Sequence, residues 1–330
     1  MNRNGIMNRL RLTLVVLGLV VVGIEGQSLA QDSSQSTQKA PANQASKQAA
    51  KLNEQGVRYL YKTWANTFMD QDVAMWQKLT CAHQQRKIRN ELVSKRRDFP
   101  QDTFISGAPN LISLENLEVV SLTQNGISAK ALFFGDLQLI QKDSKIPAIL
   151  AKKSLYAIDF YAEEGWWKIA QAGIFDLRYQ PELKKQLLQH QFEPIQLPIP
   201  SQLPQLDPLV SKADYIGNAW VKAQGVEIDL EINGIRLASV TETQEARLIL
   251  GGLKLGSNTI SYRIKTMDTA VNSNLVAAIE VFALSEKRGN TPVKIWSLQQ
   301  IKDKGQVDAQ GFYKATFELN SQTAKALNIE

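Results

Sequence analysis

The chain has 330 residues, a formal net charge of +6, 44% hydrophobic and 21% charged residues, one cysteine and two histidines. This composition excludes a wholly disordered, a collagen-like and a polytopic membrane protein, and the single cysteine excludes an internal disulfide framework and a multi-cysteine zinc site. Two histidines make a His-rich metal centre improbable, so we expect no metal site, and we also predict no cofactor. The length allows about two domains.

The amino terminus has the features of a secretory signal peptide. Arg9 and Arg11 precede an uncharged run over 12–24, and small residues end at Ala30, so we expect cleavage before Gln31. An uncleaved anchor is the alternative, although the run of 13 residues is shorter than a bilayer span. Without this segment the net charge is +4, which does not indicate nucleic-acid binding. The chain lacks Asn-x-Ser/Thr sequons, so we predict a soluble bacterial protein of the periplasm or extracellular space.

Two compositional boundaries divide the mature chain. Residues 31–50 are almost entirely small and polar, which predicts a flexible tether after the signal peptide of residues 1–30. Five of the eleven prolines lie within 193–210, which predicts a semi-rigid linker. The predicted domains are therefore residues 51–192 and 211–330.

Helices followed by long strands are predicted for the first domain. Apolar residues recur at helical spacing around Trp64 and Trp76, and a basic third helix follows over 82–96. The Asn-Gly pair at 125–126 supplies the positive φ angles of a tight hairpin. Strands are predicted over 117–123, 127–140, 153–162 and 166–175. Helices before an antiparallel meander are typical of an α+β domain.

Two motifs in this domain resemble the NTF2-like (SnoaL-like, cystatin-like) superfamily. The ending Glu164-Gly165-Trp166-Trp167-Lys168-Ile169-Ala170, followed by Ile174-Phe175, is similar to the last strands of those domains. The helix pair from Trp64 through Asp70-Gln71-Asp72 to Trp76 resembles their aromatic-rich opening. The resemblance covers residues from about 50 to 190.

The resemblance implies a cone in which helices and a curved sheet enclose an apolar cavity. It places seven aromatic residues near that cavity: Trp64, Phe68, Trp76, Phe133, Tyr156, Phe160 and Trp167. These residues either line a pocket for a small apolar ligand or fill the cone as core. Sheets of this family often pair face to face, so the resemblance also implies a homodimer, unless the linker and second domain cover that surface.

Enzymes on this fold place an acidic residue inside the cone, where burial moves its pKa towards neutrality. Asp159 is the candidate here, with Tyr161 as an assisting proton donor, and a solvent-facing aspartate is the alternative. Neither His83 nor His190 is placed to complete an acid–base pair. The sequence also lacks a nucleophile elbow, a phosphate loop and a zinc helix, so we expect a protein without enzymatic activity.

The third helix carries a basic patch that consists of Arg86, Arg89, Lys95, Arg96 and Arg97. If the helix extends this far, Arg89 and Arg96 lie one heptad apart and share a stripe. Such a stripe would suit anionic lipid, a wall polymer or an acidic protein face. The alternative is a solvated helix face.

The second domain is predicted to be an immunoglobulin-like β-sandwich. Apolar and acidic residues alternate over 226–232, and Asn233-Gly234 turns the chain into a second strand. About seven short strands of this kind predict a sandwich. Trp220 and Trp296 either pack in its core or form exposed platforms for a sugar ring.

Together these patterns predict an exported cell-envelope protein in which an NTF2-like α+β cone and a β-sandwich act as binding or assembly modules for an unknown envelope protein. The alternatives are a small-molecule binder or enzyme that uses the cone, and a wall- or carbohydrate-binding module in the sandwich. Cys81 ends an apolar stretch and is expected to be a buried inert thiol, with a reactive thiol as the alternative.

Overall fold

The computed structural model describes residues 50–105, 108–140, 148–175, 177, 180–192, 195, 198–267, 275–285, 291–302 and 312–327. The predicted signal peptide, its cleavage site at Ala30 and Gln31, and all but the last residue of the tether lie outside these ranges. None of the helices within them is long and apolar enough to span a bilayer.

Three helices open the described chain: α1 at Glu54–Asp70, α2 at Val73–Leu79 and α3 at Ala82–Ser94. The side chain of Asn53 accepts the backbone N–H of Gly56 at the start of α1. The side chain of Asp72 accepts the N–H of Met75 at the start of α2. A 3-10 turn at Gln101–Thr103 then leads into the strands.

The first sheet is antiparallel and has five strands: β1 at Ile112–Ser113, β2 at Glu118–Asn125, β3 at Ser128–Leu139, β4 at Ala148–Glu163 and β5 at Trp166–Phe175. The order is β1-β3-β4-β5, and β2 also pairs with β3. The predicted hairpins at Gly126 and Gly165 are present, with positive φ angles at both glycines. β4 begins five residues earlier than the sequence predicted.

The two faces of this sheet are covered differently. Helices α1 and α2 pack on one face, which we call the inner face and which carries Phe133, Tyr156 and Ile158. The opposite, outer face has a smaller apolar cluster with Leu132, Phe134 and Leu155. A further helix, α4 at Pro181–Leu188, covers this cluster together with Phe192 and Ile195. The apolar part of the outer face is therefore occupied by the chain itself.

Two four-stranded antiparallel sheets form the rest of the described chain. Their strands are β6 at Ile216–Gln224, β7 at Val226–Ile232, β8 at Ile235–Thr241, β9 at Gln244–Leu248, β10 at Gly256–Thr266, β11 at Leu275–Leu284, β12 at Val293–Lys302 and β13 at Tyr313–Leu319. One sheet has the order β13-β10-β7-β8 and the other β12-β11-β6-β9, and their apolar side chains share one core. This arrangement is sandwich-like, as predicted. A short helix, α5, follows at Ser321–Ala326.

Candidate functional site

The inner face carries the aromatic residues for which the sequence predicted either a pocket or a packed core. Ring centroids lie 4.9 Å apart between Trp64 and Phe68, and 6.0 Å apart between Trp76 and Phe104. Six of the seven predicted residues have exposed fractions between 0 and 7%: Trp64, Phe68, Trp76, Phe133, Tyr156 and Phe160. These six side chains belong to one contiguous core.

Trp167 differs from the other six because it is only half-buried at the margin of this core. Its indole Nε1 donates a hydrogen bond of 2.6 Å to the carbonyl oxygen of Ala50. Trp167 therefore joins the segment before α1 to the sheet.

A pair of tyrosines lies at the centre of the inner face. The hydroxyl oxygens of Tyr61 and Tyr156 are 3.0 Å apart, and the backbone N–H of Ile112 donates to Tyr61 at 3.0 Å. Burial raises the pKa of both phenols, that of Tyr156 well above its usual value. Both groups therefore stay protonated at neutral pH and serve as hydrogen-bonding partners inside an apolar core.

Two polar atoms on this side of the sheet have no hydrogen-bond partner within the described part of the chain. They are the indole nitrogen of Trp76 and the hydroxyl of Thr103, and both side chains are fully buried. The rings of Phe99 and Phe104 each lie 6.0 Å from the ring of Trp76. A buried polar group without a partner costs about 1–3 kcal/mol, so each of these groups lowers the stability of the core unless a water or a ligand supplies a partner.

The outer face is divided across its strands into an apolar and a polar half. Ser128 and Lys130 on β3 precede the apolar residues of that face, and Asp159 and Tyr161 on β4 follow them. The register pairs Lys130 with Asp159 and Ser128 with Tyr161. We call the outer-face residues near the two hairpin turns the polar half: Ser128, Lys130, Asp159, Tyr161, Glu163, Trp166, Lys168 and Gln171.

Asp159 therefore lies on the face opposite the aromatic core, as in the alternative of an aspartate outside the cone. Side chains alternate along a strand, and Tyr156, Ile158 and Phe160 already occupy the inner face. The carboxylate is 3.3 Å from the ammonium of Lys130, and its side chain is 32% exposed. Burial raises the pKa of Asp159, while Lys130 opposes that shift.

Tyr161 follows two residues later on the same face, as the sequence predicted. Its hydroxyl interacts electrostatically with Asp159 and with Cys81. Burial and the neighbouring Asp159 carboxylate raise the pKa of Tyr161, so the phenol remains a proton donor at neutral pH.

A second ion pair completes the polar half where β4 meets the start of α3. The ammonium of Lys168 lies 3.1 Å from Glu163, and both side chains are about one-sixth exposed. The same carboxylate accepts the backbone N–H of Ala82 at 2.9 Å and so caps α3. Cys81 lies beside this pair and is fully buried, and burial raises the pKa of its thiol to about 11. The protonated thiol agrees with the expected inert cysteine.

Helix α3 hydrogen-bonds to the linker between the first sheet and the sandwich. This finding corrects the interpretation of its basic patch. The guanidinium of Arg86 donates to the carbonyl of Asp207 at 2.8 Å, and that of Arg89 donates to the carbonyl of Val210 at 3.0 Å. Asn90 donates to the carbonyl of Pro208 at 2.9 Å. Arg86 and Arg89 are thus engaged by the linker rather than free for an anionic partner.

The end of α3 also differs from the prediction. The helix stops at Ser94, and Arg96 has a left-handed backbone with φ of 60°, so Arg89 and Arg96 do not form a helical stripe. Lys95 and Arg97 are exposed. The hydroxyl of Ser94 accepts the N–H of Gly251 at 2.7 Å, which adds a contact with the second half of the chain.

The two tryptophans of the sandwich have different surroundings. Trp296 packs against the shared core, with ring centroids 6.2 Å from Tyr262 and 6.5 Å from Phe317. Trp220 is half-buried on the outer side of its sheet, since Ala219 and Val221 point inwards. Core packing, one of the two interpretations from the sequence, therefore describes Trp296 better than Trp220.

Sequence reasoning missed several members of the polar half. Ser128, Lys130, Glu163 and Lys168 were not among the candidate residues, because each is an ordinary polar residue near a turn. The alternation of polar and apolar residues on β3 and β4 is visible in the sequence and puts Asp159 on the same face as Tyr161. Which face the helices cover depends on tertiary packing and could not be read from that alternation.

Among the residues that the structure describes, no group of three histidine, cysteine or acidic side chains is placed to hold a metal ion. Comparisons with protein-family models, curated proteins and solved structures found no match to the chain.

Proposed function

We propose that the protein is exported to a bacterial envelope, where it acts without enzymatic activity as a binding or assembly module. The first half is proposed to be an NTF2-like module, on the strength of its motifs and its order of helices and strands. The second half is proposed to be an immunoglobulin-like sandwich.

One observation carries the non-enzymatic part of this proposal. The aromatic side chains that would surround a reaction cavity contact one another, and the candidate acid Asp159 lies on the opposite face in an ion pair with Lys130. An acid that acts on a substrate inside the inner face would have to share that face. The arrangement therefore supports a protein that acts through its outer surfaces.

The contacts of α3 support a single binding unit rather than two independent modules. Asn90 and Ser94 both hydrogen-bond to backbone beyond the first sheet, and Lys212 pairs with Asp98 at 2.9 Å. Such contacts fix the linker against the first half. A partner would then meet surfaces from both halves at a defined spacing.

Native mass spectrometry of the protein isolated from its host tests this proposal. We expect a chain that begins at Gln31, found in the envelope fraction, with a second polypeptide or envelope polymer attached. A cytoplasmic chain that retains residues 1–30 would contradict export. Turnover of a metabolite that Asp159→Asn abolishes would contradict the non-enzymatic role.

A small-molecule binder is the second candidate function, and the unpartnered donors of Trp76 and Thr103 favour it. A ligand with one acceptor oxygen and an apolar body would satisfy these donors beside Phe99 and Phe104. The same mass measurement would then give an additional few hundred daltons per chain. Trp76→Phe, which removes the indole N–H and retains an aromatic ring, should release that mass.

A further inference from the structure

The polar half of the outer face combines features that a purely structural surface does not need. It carries two ammonium and two carboxylate groups, in the pairs Lys130 with Asp159 and Lys168 with Glu163. These charges cancel, so the surface does not favour a polyanion or a polycation. It instead offers hydrogen-bond donors and acceptors side by side on a nearly continuous sheet.

An exposed aromatic ring borders these pairs. Trp166 is 75% exposed and pairs across the hairpin with Glu163, so both project from the outer face. Its neighbour on that face is Lys168, two residues along the strand. An indole that remains in water while the adjacent Trp167 is half-buried is a large apolar surface available for contact.

A third feature is a hydroxyl group that the protein leaves without a partner. The side chain of Ser128 is 1% exposed, and its Oγ has no hydrogen-bond partner in the described ranges of the chain. Ser128 pairs in register with Tyr161 and lies two residues before Lys130. A buried hydroxyl of this kind costs about 1–3 kcal/mol unless another molecule completes its hydrogen bonds.

We propose that the polar half binds a neutral oligosaccharide, with one sugar ring stacked on Trp166 and hydroxyls of successive rings bonded to the two ion pairs. Each sugar hydroxyl both donates and accepts, which matches ammonium and carboxylate groups placed next to one another. The carbon-bound hydrogens of the ring suit the negative face of the indole.

The spacing of the carboxylates favours binding over hydrolysis. Asp159 and Glu163 are four residues apart on one strand, so their Cα atoms are about 13 Å apart, and each carboxylate is held in an ion pair by a different lysine. Glycosidases hold their two carboxyl groups about 5–9.5 Å apart. The polar half is thus suited to retain a saccharide without cleaving it.

This inference rests on the proposed envelope function, because a wall glycan is the neutral saccharide that an exported protein would meet. The test uses the mature full-length chain, with chitotetraose and cellotetraose as soluble probes in calorimetry and insoluble peptidoglycan in a pelleting assay. The variants are Trp166→Ala and Asp159→Asn. Trp220→Ala is the matched control, because Trp220 is the corresponding outward tryptophan of the sandwich.

We expect the wild-type chain to bind at least one probe, with affinity reduced about tenfold or more in Trp166→Ala and reduced in Asp159→Asn. Trp220→Ala should bind as the wild type does. Failure of the wild type to bind any probe would overturn the inference, and so would binding lost in Trp220→Ala but retained in Trp166→Ala. Export with an attached polypeptide but no saccharide binding would leave the envelope function standing.

Discussion

The inner and outer faces of the first sheet are built from the same strands but have opposite chemistry. On β4, Tyr156 and Phe160 enter an aromatic core, whereas Asp159, between them in sequence, pairs with Lys130 on the other side. Side-chain alternation makes this division sharp, since a shift of one residue would exchange the faces. The inner face thus stabilises the fold, while the outer face keeps polar groups and the exposed ring of Trp166 near the surface.

The largest effect on stability should come from a substitution on the inner face. Replacing the fully buried Phe160 by alanine removes a ring and leaves a cavity, so we expect the free energy of unfolding to fall by about 3–5 kcal/mol. Urea unfolding, monitored by circular dichroism, measures this loss of stability. Trp166→Ala, on the outer face of the same hairpin, should change the free energy of unfolding by no more than about 0.5 kcal/mol. Equal losses in both variants would contradict the division between the faces.

A smaller effect is expected where α3 holds the linker. The side chain of Asn90 is 1% exposed and bonds both to the carbonyl of Pro208 and to the N–H of Val210. Asn90→Ala leaves both backbone groups without that partner, which should cost about 1–3 kcal/mol. Limited proteolysis within 198–206 should become faster in this variant. Asn66→Ala, an exposed substitution on α1, is the control, and equal cleavage of both variants would contradict the role of Asn90.

The tyrosine pair of the inner face gives an asymmetric prediction. Tyr61→Phe removes the partner of Tyr156 and the acceptor of the Ile112 N–H, whereas Tyr156→Phe removes one bond only. We expect losses of about 1–3 kcal/mol for the former and about 0.5–1.5 kcal/mol for the latter. A double-mutant cycle from chemical unfolding measures their coupling. A larger loss in Tyr156→Phe would show that the bond to Ile112 contributes little.

Local signals made much of the fold predictable. Asn125-Gly126, Glu164-Gly165 and Asn233-Gly234 each combine turn residues with flanking β-rich runs, and each forms the predicted hairpin. The strands that the sequence predicts for the second domain begin at Val226 and leave out β6, because its inward positions include Gly217, Ala219 and Ala223, which give a weak apolar pattern. Small residues pack well between strands but carry little of the alternation that sequence reading uses.

The candidate site was less predictable because it depends on contacts between distant residues. Arg86 and Arg89 have the composition of a solvated basic face, and only the fold brings the carbonyls of Asp207 and Val210 to them. Glu163 likewise caps a helix that begins 81 residues earlier in the chain. Such pairings have no local signature, so periodicity and motifs could not reveal them.

The smallest expected effect is the contribution of Asp159, on the outer face, to the pH dependence of stability. Burial raises the folded-state pKa of Asp159 above its unfolded value of about 3.9. The folded state therefore binds the proton more tightly, and this contribution to stability is full below the unfolded pKa and lost as pH rises through the folded pKa. Asp159→Asn should remove this component from a plot of unfolding free energy against pH.

Lys130→Met sharpens the same test. The ammonium of Lys130 lowers the pKa of Asp159, so its removal should move the pH window of the Asp159 contribution upwards. Unfolding measured from about pH 3 to 8 covers this window. If wild type, Asp159→Asn and Lys130→Met give parallel profiles, the Asp159 carboxylate is solvated like an ordinary surface acid, and the polar half of the outer face does not bury its charges.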